Sequence, residues 1–201
     1  MPEITWVGPT PNKDEGRFGK SIDMIVLHYT ANGTVDGAVS WFKNPVAQAS
    51  VHYIVGKDGG VFQLVADEDT AWHAGVSGLR GWLVRPNRRS IGIEMINWGF
   101  LDKRGDSYHN WTGNEHRGCV VQMDGKYWEC YTALQYESVA WLVRHLASKY
   151  NIPVQFPPFG SGVYHPRPMD LAGFRGVLGH SAISAVKSDP GPHFDWGCFN
   201  G

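Results

Sequence analysis

Two long and two short apolar runs predict the strands of a buried sheet. Residues 22–29 (IDMIVLHY) and 90–97 (SIGIEMIN) are largely apolar and contain several β-branched side chains. Shorter runs at 51–56 and 61–65 flank a KDGG segment at 57–60, which predicts a hairpin because glycine tolerates the positive φ of tight turns. Strands that are apolar on both faces need cover on both faces. The pattern therefore predicts a central sheet inside the molecule.

Two segments have helical periodicity. Residues 133–150 carry an apolar stripe, and Thr132 with Gln135 makes a capping box at its start. The stripe consists of Leu134, Val139, Leu142, Val143 and Leu146. A short helix is predicted over 35–43 and is ended by Pro45. The mixture of strands and helices predicts an α/β (α+β) single domain with a central mixed β-sheet flanked by helices.

The segment 119–130 (CVVQMDGKYWEC) predicts a second hairpin. With Asp124-Gly125 as a two-residue turn, Cys119 lies directly opposite Cys130. Such a hydrogen-bonded pair has Cα atoms about 5.5 Å apart, within the range of a disulfide. A disulfide is expected in oxidising surroundings, whereas both thiols stay free in a reducing cytoplasm. The sequence leaves both states open.

The ends of the chain are expected to differ in order. Residues 1–20 are rich in proline, glycine and charge and lack periodicity, which predicts an irregular N-terminal arm laid on the surface. The folded domain is expected over 21–201. Within it, the proline-rich stretch 153–176 is expected to be a loop.

Charge and hydropathy exclude two classes of function. The chain has 201 residues, with 18 basic and 19 acidic side chains and a net charge of −1, which argues against nucleic-acid binding. No apolar run approaches the roughly 20 residues of a membrane span, so no membrane insertion is expected. The first residues lack the regions of a secretory signal, which predicts synthesis in the cytoplasm without one. The nine tryptophans suit either sugar rings or core packing.

Three polar residues have the types that a catalytic zinc needs. His28 ends a predicted buried strand, His180 follows a short apolar step, and Asp189 comes nine residues later. Two imidazoles and a carboxylate occupy three corners of a tetrahedron and leave the fourth for water. Spacing alone does not separate this set from histidines on the surface.

Six motifs read together carry a resemblance to a known family. They are VLHYTA at 26–31, SVHY at 50–53, AWHAG at 71–75, SIGIE at 90–94, GHS at 179–181 and KSDPGP at 187–192. In this order they resemble the zinc-dependent N-acetylmuramoyl-L-alanine amidases, the amidase type 2 family, which is related to the peptidoglycan recognition proteins. The resemblance covers roughly residues 22–98 and 132–196.

The resemblance implies roles for five residues. His28, His180 and Asp189 match the zinc ligands of the family. Glu94 matches its catalytic carboxylate, and Lys187 matches a lysine that stabilises the oxyanion. Alternation along the strand places Glu94 on the face opposite its apolar neighbours, so it is free to act as a general base. A structural salt bridge for Glu94 and a solvated loop position for Lys187 remain alternatives.

Other matches are less definite. His52 and His73 match positions that line the site, where substrate contact and packing or hydrogen bonding are both open. Ala182 departs from the family, which often has an acidic residue there. The 99–131 segment is longer than in minimal relatives and resembles the insert of some phage endolysins.

The function implied is hydrolysis of the amide between N-acetylmuramic acid and L-alanine, with Zn²⁺ as cofactor and peptidoglycan as partner. A phage-type endolysin is favoured, a monomer that reaches the cell wall after release through holin pores. One alternative is a cytoplasmic amidase that recycles small anhydromuropeptides. Another is a peptidoglycan-binding module without activity, which the presence of all three ligand types and Glu94 argues against.

Overall fold

A six-stranded mixed sheet forms the centre of the computed structural model, which describes residues 2–75, 85–157, 171 and 173–200. In spatial order the strands are β1, β5, β4, β7, β3 and β13. Their bounds are Ile4–Trp6 (β1), Val61–Gln63 (β5), Tyr53–Val55 (β4), Ser90–Met95 (β7), Met24–Tyr29 (β3) and Gly176–Gly179 (β13). The predicted hairpin of β4 and β5 is antiparallel, and the other neighbouring pairs are parallel. The predicted central mixed sheet is thereby confirmed.

Two α-helices flank the sheet, at the bounds that the sequence predicts. Helix α1 spans Val35–Lys43 and helix α2 spans Ala133–Tyr150, with the capping box of Thr132 and Gln135 present. The apolar stripe of α2 packs against the sheet except at its first member. Leu134 is 50% exposed, because it lies on a different side of the helix from the other members of the stripe.

The two faces of the sheet carry different side chains. Odd-numbered residues of β3 and β7, such as Leu27 and Ile93, pack in one cluster with α2. Even-numbered residues face the other way, and the parallel register pairs His28 with Glu94. Side chains alternate along a strand, so His28 and Glu94 point to this second face. Both lie near the carboxyl ends of their adjacent strands.

The N-terminal arm is part of the fold, which corrects the prediction of an irregular strap over 1–20. Strand β1 forms an edge of the central sheet, and β2 (Lys13–Asp14) pairs with β6 (Thr70–Ala71). Arg17 is buried and donates to the carbonyls of Asp67 and Ser90. These strands are two and three residues long, too short to leave a periodic pattern.

The 99–131 segment builds a second, antiparallel sheet. Its spatial order is β10, β9, β8, β12 and β11. The strands are β8 (Phe100–Arg104), β9 (Ser107–His109), β10 (Glu115–His116), β11 (Val120–Met123) and β12 (Lys126–Glu129). Asp124 and Gly125 both have positive φ and form the predicted two-residue turn. Cys119 and Cys130 form a disulfide with a Cα–Cα distance of 5.4 Å.

Short 3₁₀ turns complete the described fold. They span Pro45–Ala47, Pro86–Arg89, His180–Ala182 and Trp196–Phe199. Most of the loop predicted over 153–176 lies outside the described residues. None of the helices in the described part of the chain has the length and apolar character that a membrane crossing requires.

Candidate active site

Three of the predicted residues converge at the carboxyl ends of β3 and β13. Nδ1 of His28 lies 2.7 Å from Oδ2 of Asp189 and 3.1 Å from Nδ1 of His180. Nδ1 of His180 lies 3.1 Å from Oδ2 of Asp189. All three side chains are buried, and the three form one cluster of potential metal ligands.

This cluster fits a zinc ion. Ligand atoms on a tetrahedral zinc lie about 2.0–2.1 Å from the ion and hence about 3.3 Å from one another, close to the spacing here. Burial lowers the pKa of His28 to about 4, although the neighbouring Asp189 carboxylate acts in the opposite direction. The Asp189 carboxyl has a lowered pKa, because its close contacts with the His180 and His28 imidazoles outweigh the effect of burial. A neutral imidazole and an ionised carboxylate are the forms that bind metal.

A chain of hydrogen bonds behind His28 assigns its tautomer. The Ser90 hydroxyl donates to the Pro86 carbonyl (2.8 Å), so its oxygen accepts from Nε2 of His73 (3.0 Å). Nδ1 of His73 then accepts from Nε2–H of His28 (3.0 Å). Nδ1 of His28 is therefore left as a lone pair directed at His180 and Asp189. His73 thus acts on the site through His28, and it also lines the cavity described below.

A glycine creates the space for His73. A Cβ at Gly92 would lie 2.5 Å from the His73 ring, so any other residue in this strand position would displace the imidazole. Burial lowers the pKa of His73 well below its usual range, and the neighbouring histidines add to this effect. A neutral His73 matches its role as acceptor from His28.

His52 lies behind the site, where it makes hydrogen bonds and does not belong to the lining of the cavity described below. Its side chain is fully buried, and Nδ1 accepts from the Gly92 amide (3.0 Å). Nε2 faces the carbonyl of Asp69 (3.3 Å) and the guanidinium of Arg17 (2.8 Å). Burial is the main cause that lowers the pKa of His52 to about 3, and the positive charge of Arg17 adds to this effect. Its position favours the packing and hydrogen-bonding alternative.

Glu94 lines the same cavity as the three clustered residues. This cavity has a volume of about 410 Å³ and also includes Lys187 and Ser188 in its lining. Oε2 of Glu94 is buried and has no hydrogen-bond partner among the described residues. Burial raises the pKa of Glu94 well above its usual range, the charge of Asp189 adds to this, and Lys187 opposes it. A carboxyl with a raised pKa and an unpaired oxygen is suited to accept and return a proton.

Lys187 occupies an exposed position in the cavity lining. It is the only lysine or arginine among the described residues of that lining. Tyr29 and Ser188 share a hydrogen bond of 2.6 Å that joins β3 to the loop carrying Lys187. Lys187 is thereby held close enough for its charge to act on Glu94.

Sequence reasoning missed the residues that support the ligands. In the sequence, Ser90 is only the first residue of a predicted strand, and Arg17 lies in the predicted N-terminal arm. Neither has a local pattern that marks a hydrogen bond to a residue far along the chain. The one available signal was the SIGIE motif, in which Ser90 and Gly92 lie on the same face of the strand as Glu94 and therefore near the site.

Two imidazoles and a carboxylate with an open side are the ligand set of catalytic zinc sites in hydrolases. The sequence pattern of the family described as N-acetylmuramoyl-L-alanine amidase matches residues 18–192, and the chain belongs to this family. It is therefore an enzyme, an amidase of the N-acetylmuramoyl-L-alanine class.

Individual relatives show how far the likeness extends. The chain is 26% identical to N-acetylmuramoyl-L-alanine amidase A of Achromobacter lyticus, covering 96% of this chain and 89% of that protein. It is 29% identical to the 1,6-anhydro-N-acetylmuramyl-L-alanine amidase AmpD of Escherichia coli, covering 83% of this chain and 66% of AmpD. E. coli AmiD, solved with anhydro-N-acetylmuramic acid-L-Ala-D-γ-Glu-L-Lys, superimposes with a TM-score of 0.61 at 26% identity. That match covers 89% of this chain but only 56% of AmiD.

Proposed function

We propose that this chain is a zinc-dependent peptidoglycan hydrolase that cleaves the amide between N-acetylmuramic acid and L-alanine. The observation that carries the proposal is the convergence of His28, His180 and Asp189 beside Glu94 in one cavity. The family description and the muropeptide bound by AmiD support the choice of substrate.

His28, His180 and Asp189 would hold the zinc. When bound, zinc polarises a carbonyl and lowers the pKa of water to about 7, which supplies a nucleophile at neutral pH. His73 and Ser90 keep Nδ1 of His28 free of a proton for this purpose. The carboxylate of Asp189 offsets part of the charge of the ion.

Glu94 handles the proton. Its carboxylate accepts a proton from the attacking water and then donates it to the nitrogen of the departing L-alanine. The absence of a hydrogen-bond partner on Oε2 among the described residues leaves this oxygen available for both transfers. General acid–base assistance of this type typically contributes 10²–10⁴-fold in rate.

Lys187 stabilises the developing negative charge on the former carbonyl oxygen. Its ammonium group belongs to the lining of the cavity and carries a charge that Glu94 and His28 both experience. One well-placed donor to an oxyanion is commonly worth about 3–4 kcal/mol in the transition state.

The biological setting that we favour is lysis of intact cell wall by a phage-type endolysin released from the cytoplasm. The 99–131 insert and the exposed tryptophans Trp41 and Trp111 support an extended substrate such as wall peptidoglycan. The alternative is recycling of anhydromuropeptides, which the likeness to AmpD favours. Rates on purified sacculi and on a soluble anhydromuropeptide, measured side by side, distinguish the two.

The test of the activity is digestion of sacculi followed by mass analysis. The expected products are stem peptides with a free N-terminal L-alanine and glycan strands of unchanged length. Shortened glycan strands, or peptides cut between amino acids, would refute the proposal.

The test of the metal site is zinc analysis of His180→Ala. This variant is expected to lose both zinc and activity, because it removes one of three ligands. His145→Ala is the matched control, since His145 is exposed on α2 and stacks on Trp141. Full zinc retention in His180→Ala would show that the ligand set is wrong.

A further inference from the structure

The tip of one hairpin in the insert is built around an exposed tryptophan. Strands β9 and β10 are joined by residues 110–114, and Trp111 at this tip is 70% exposed. The side-chain oxygen of buried Asn110 accepts from the amides of Thr112 (3.1 Å) and Asn114 (3.0 Å). It also accepts from the Thr112 hydroxyl (2.7 Å). The tip is therefore preorganised, although its largest side chain is left in solvent.

The polar edge of Trp111 is anchored on the loop that follows His28. Its indole N–H donates to the carbonyl of Ala31 (2.7 Å). Ala31 lines the catalytic cavity, and Trp41 of α1, which is 52% exposed, lines it as well. Trp111 itself does not belong to that lining. It stands at the rim of the cavity, where Ala31 separates it from the reacting groups.

A second tryptophan, immediately before the insert, contacts the loop after His28. Trp98 lies against the same loop, since a Cβ at Gly33 would be 2.9 Å from its indole ring. The amide of Trp98 donates to the buried carboxylate of Glu129 (2.6 Å), which is also paired with Lys57. The loop after His28 is therefore in contact with two tryptophans: Trp98, immediately before the insert, and Trp111, between its strands β9 and β10.

We propose that Trp111 is a specificity residue that stacks on a sugar ring of the glycan strand next to the N-acetylmuramic acid being cleaved. The inference rests on the proposed function and extends it to a second sugar-binding position outside the catalytic cavity. Trp41 is a second exposed tryptophan and lines the cavity itself. A pyranose ring has a face of C–H groups, and a flat, exposed indole buries that face without requiring a charge.

The distribution of charge favours the glycan over the stem peptide at this rim. The stem peptide of the muropeptide bound by AmiD includes a γ-linked glutamate and a lysine, both of which carry charge. Ala31, Trp41 and Trp111 carry no charge, so this rim suits the C–H face of a sugar better than a charged peptide.

The experiment compares two substrates that differ in the number of sugar rings. One is anhydro-N-acetylmuramic acid-L-Ala-D-γ-Glu-L-Lys, with a single ring, and the other is a soluble glycan strand of several disaccharides bearing the same tripeptide. For Trp111→Ala, the ratio of kcat/KM on the strand to kcat/KM on the fragment is expected to fall about tenfold, with the loss mainly in KM. Trp111→Phe keeps an aromatic face without the N–H and is expected to lose less than threefold in the ratio.

Trp6→Ala is the matched control. Trp6 is 53% exposed in edge strand β1 and does not belong to the cavity lining, so the ratio is expected to stay at the wild-type value. Zinc content and Tm are measured for each variant. A loss of equal size on both substrates, or Trp111→Phe as poor as Trp111→Ala, would mean that Trp111 only positions the Ala31 loop and would overturn the proposal.

Failure of the inference and failure of the proposed function give different results. If wild-type protein cleaves neither substrate, the proposed function is wrong. In that case the binding of peptide-free glycan strands is measured by tryptophan fluorescence. Binding that Trp111→Ala abolishes would support the inference alone. If wild-type protein is active but Trp111→Ala leaves the ratio of strand to fragment unchanged, the inference is overturned and the function stands.

Discussion

At the scale of single residues, the readiness of His28 to bind a metal depends on groups that never touch the metal. Ser90 and His73 form a chain of hydrogen bonds that leaves Nδ1 of His28 without a proton. Gly92 makes the space in which His73 lies. Partners of this kind typically change metal affinity 10–100-fold when they are removed.

Ser90→Ala is expected to lower zinc affinity about 10–100-fold, because His73 loses the acceptor that sets its tautomer. The affinity is measured by competition with a chromogenic chelator. Ser21→Ala, an exposed serine outside the catalytic cavity, is the control and should bind zinc as the wild type does. Equal affinities in Ser90→Ala and wild-type protein would exclude the role of this hydrogen-bond chain.

Glu94→Gln is expected to lower kcat by about 10²–10⁴-fold with zinc content retained. The amide cannot accept and return a proton, but it has the same shape as the carboxyl. Since Oε2 has no partner among the described residues, no ion pair is lost and Tm should change little. Wall hydrolysis, zinc content and thermal unfolding are measured on the same sample.

The opposite pattern would identify Glu94 as structural. In that case Glu94→Gln would unfold at a lower temperature and keep most of its activity below that temperature. A folded, zinc-loaded variant with near wild-type turnover would likewise remove Glu94 from the catalytic mechanism.

At the scale of elements, the insert is a separate sheet that contacts the segment following Asp189. Its last hairpin is closed by the Cys119–Cys130 disulfide, and buried Trp128 in β12 stacks on His193 at a ring distance of 5.3 Å. The sequence predicted Cys119 opposite Cys130, because the Asp124-Gly125 turn determines which residues face each other, and the observed register also places Val121 opposite Trp128.

Reduction of the disulfide is expected to lower the free energy of unfolding by about 2–3 kcal/mol, the chain-entropy value for a loop of roughly a dozen residues. The measurement is denaturant unfolding with and without dithiothreitol. A Cys119→Ala/Cys130→Ala double variant is the control, and dithiothreitol should not affect it. If the oxidised and reduced wild-type proteins unfold at the same denaturant concentration, the cross-link does not stabilise the native state.

At the scale of the whole molecule, one buried aspartate connects three distant parts of the chain. Asp67 accepts from Lys149 (2.9 Å) and Tyr150 (2.7 Å) at the end of α2, and from Tyr53 (2.8 Å) in β4. Its backbone carbonyl accepts from Arg17 of the N-terminal segment (2.6 Å). Burial alone would raise the pKa of Asp67, but these three side-chain donors together lower it.

Asp67 is expected to make the fold sensitive to acid. Because its pKa is lower in the folded state than the unfolded value of about 3.9, its contribution is complete above that pH and is lost as the pH falls through the folded pKa. Asp67→Asn should therefore destabilise the protein by about 1.5–3 kcal/mol at pH 7 and reduce the loss of stability below about pH 4.

Thermal unfolding between pH 2 and 7 measures this effect. Asp106→Asn is the control, because Asp106 is exposed in the turn between β8 and β9. An acid dependence that is the same in Asp67→Asn and wild-type protein would mean that other carboxylates govern acid unfolding.

The sequence alone determined the elements and much of the candidate site. Alternation along the run 90–97 put Glu94 on the face opposite its apolar neighbours, and the capping box set the start of α2. These predictions succeeded because they depend on local periodicity and turn chemistry, which a single segment contains. The ordered motifs then indicated His180 and Asp189 as companions of His28, and the three do lie together.

Tertiary structure decided what each histidine does and where the chain ends lie. His52 and His73 look alike in their motifs, yet one is fully buried against Gly92 and the other contacts His28. The contact of Trp111 with Ala31 joins residues 80 positions apart, and no local pattern encodes it. Such hydrogen bonds depend on distances of about 3 Å between segments that meet only when the sheet and the insert have packed together.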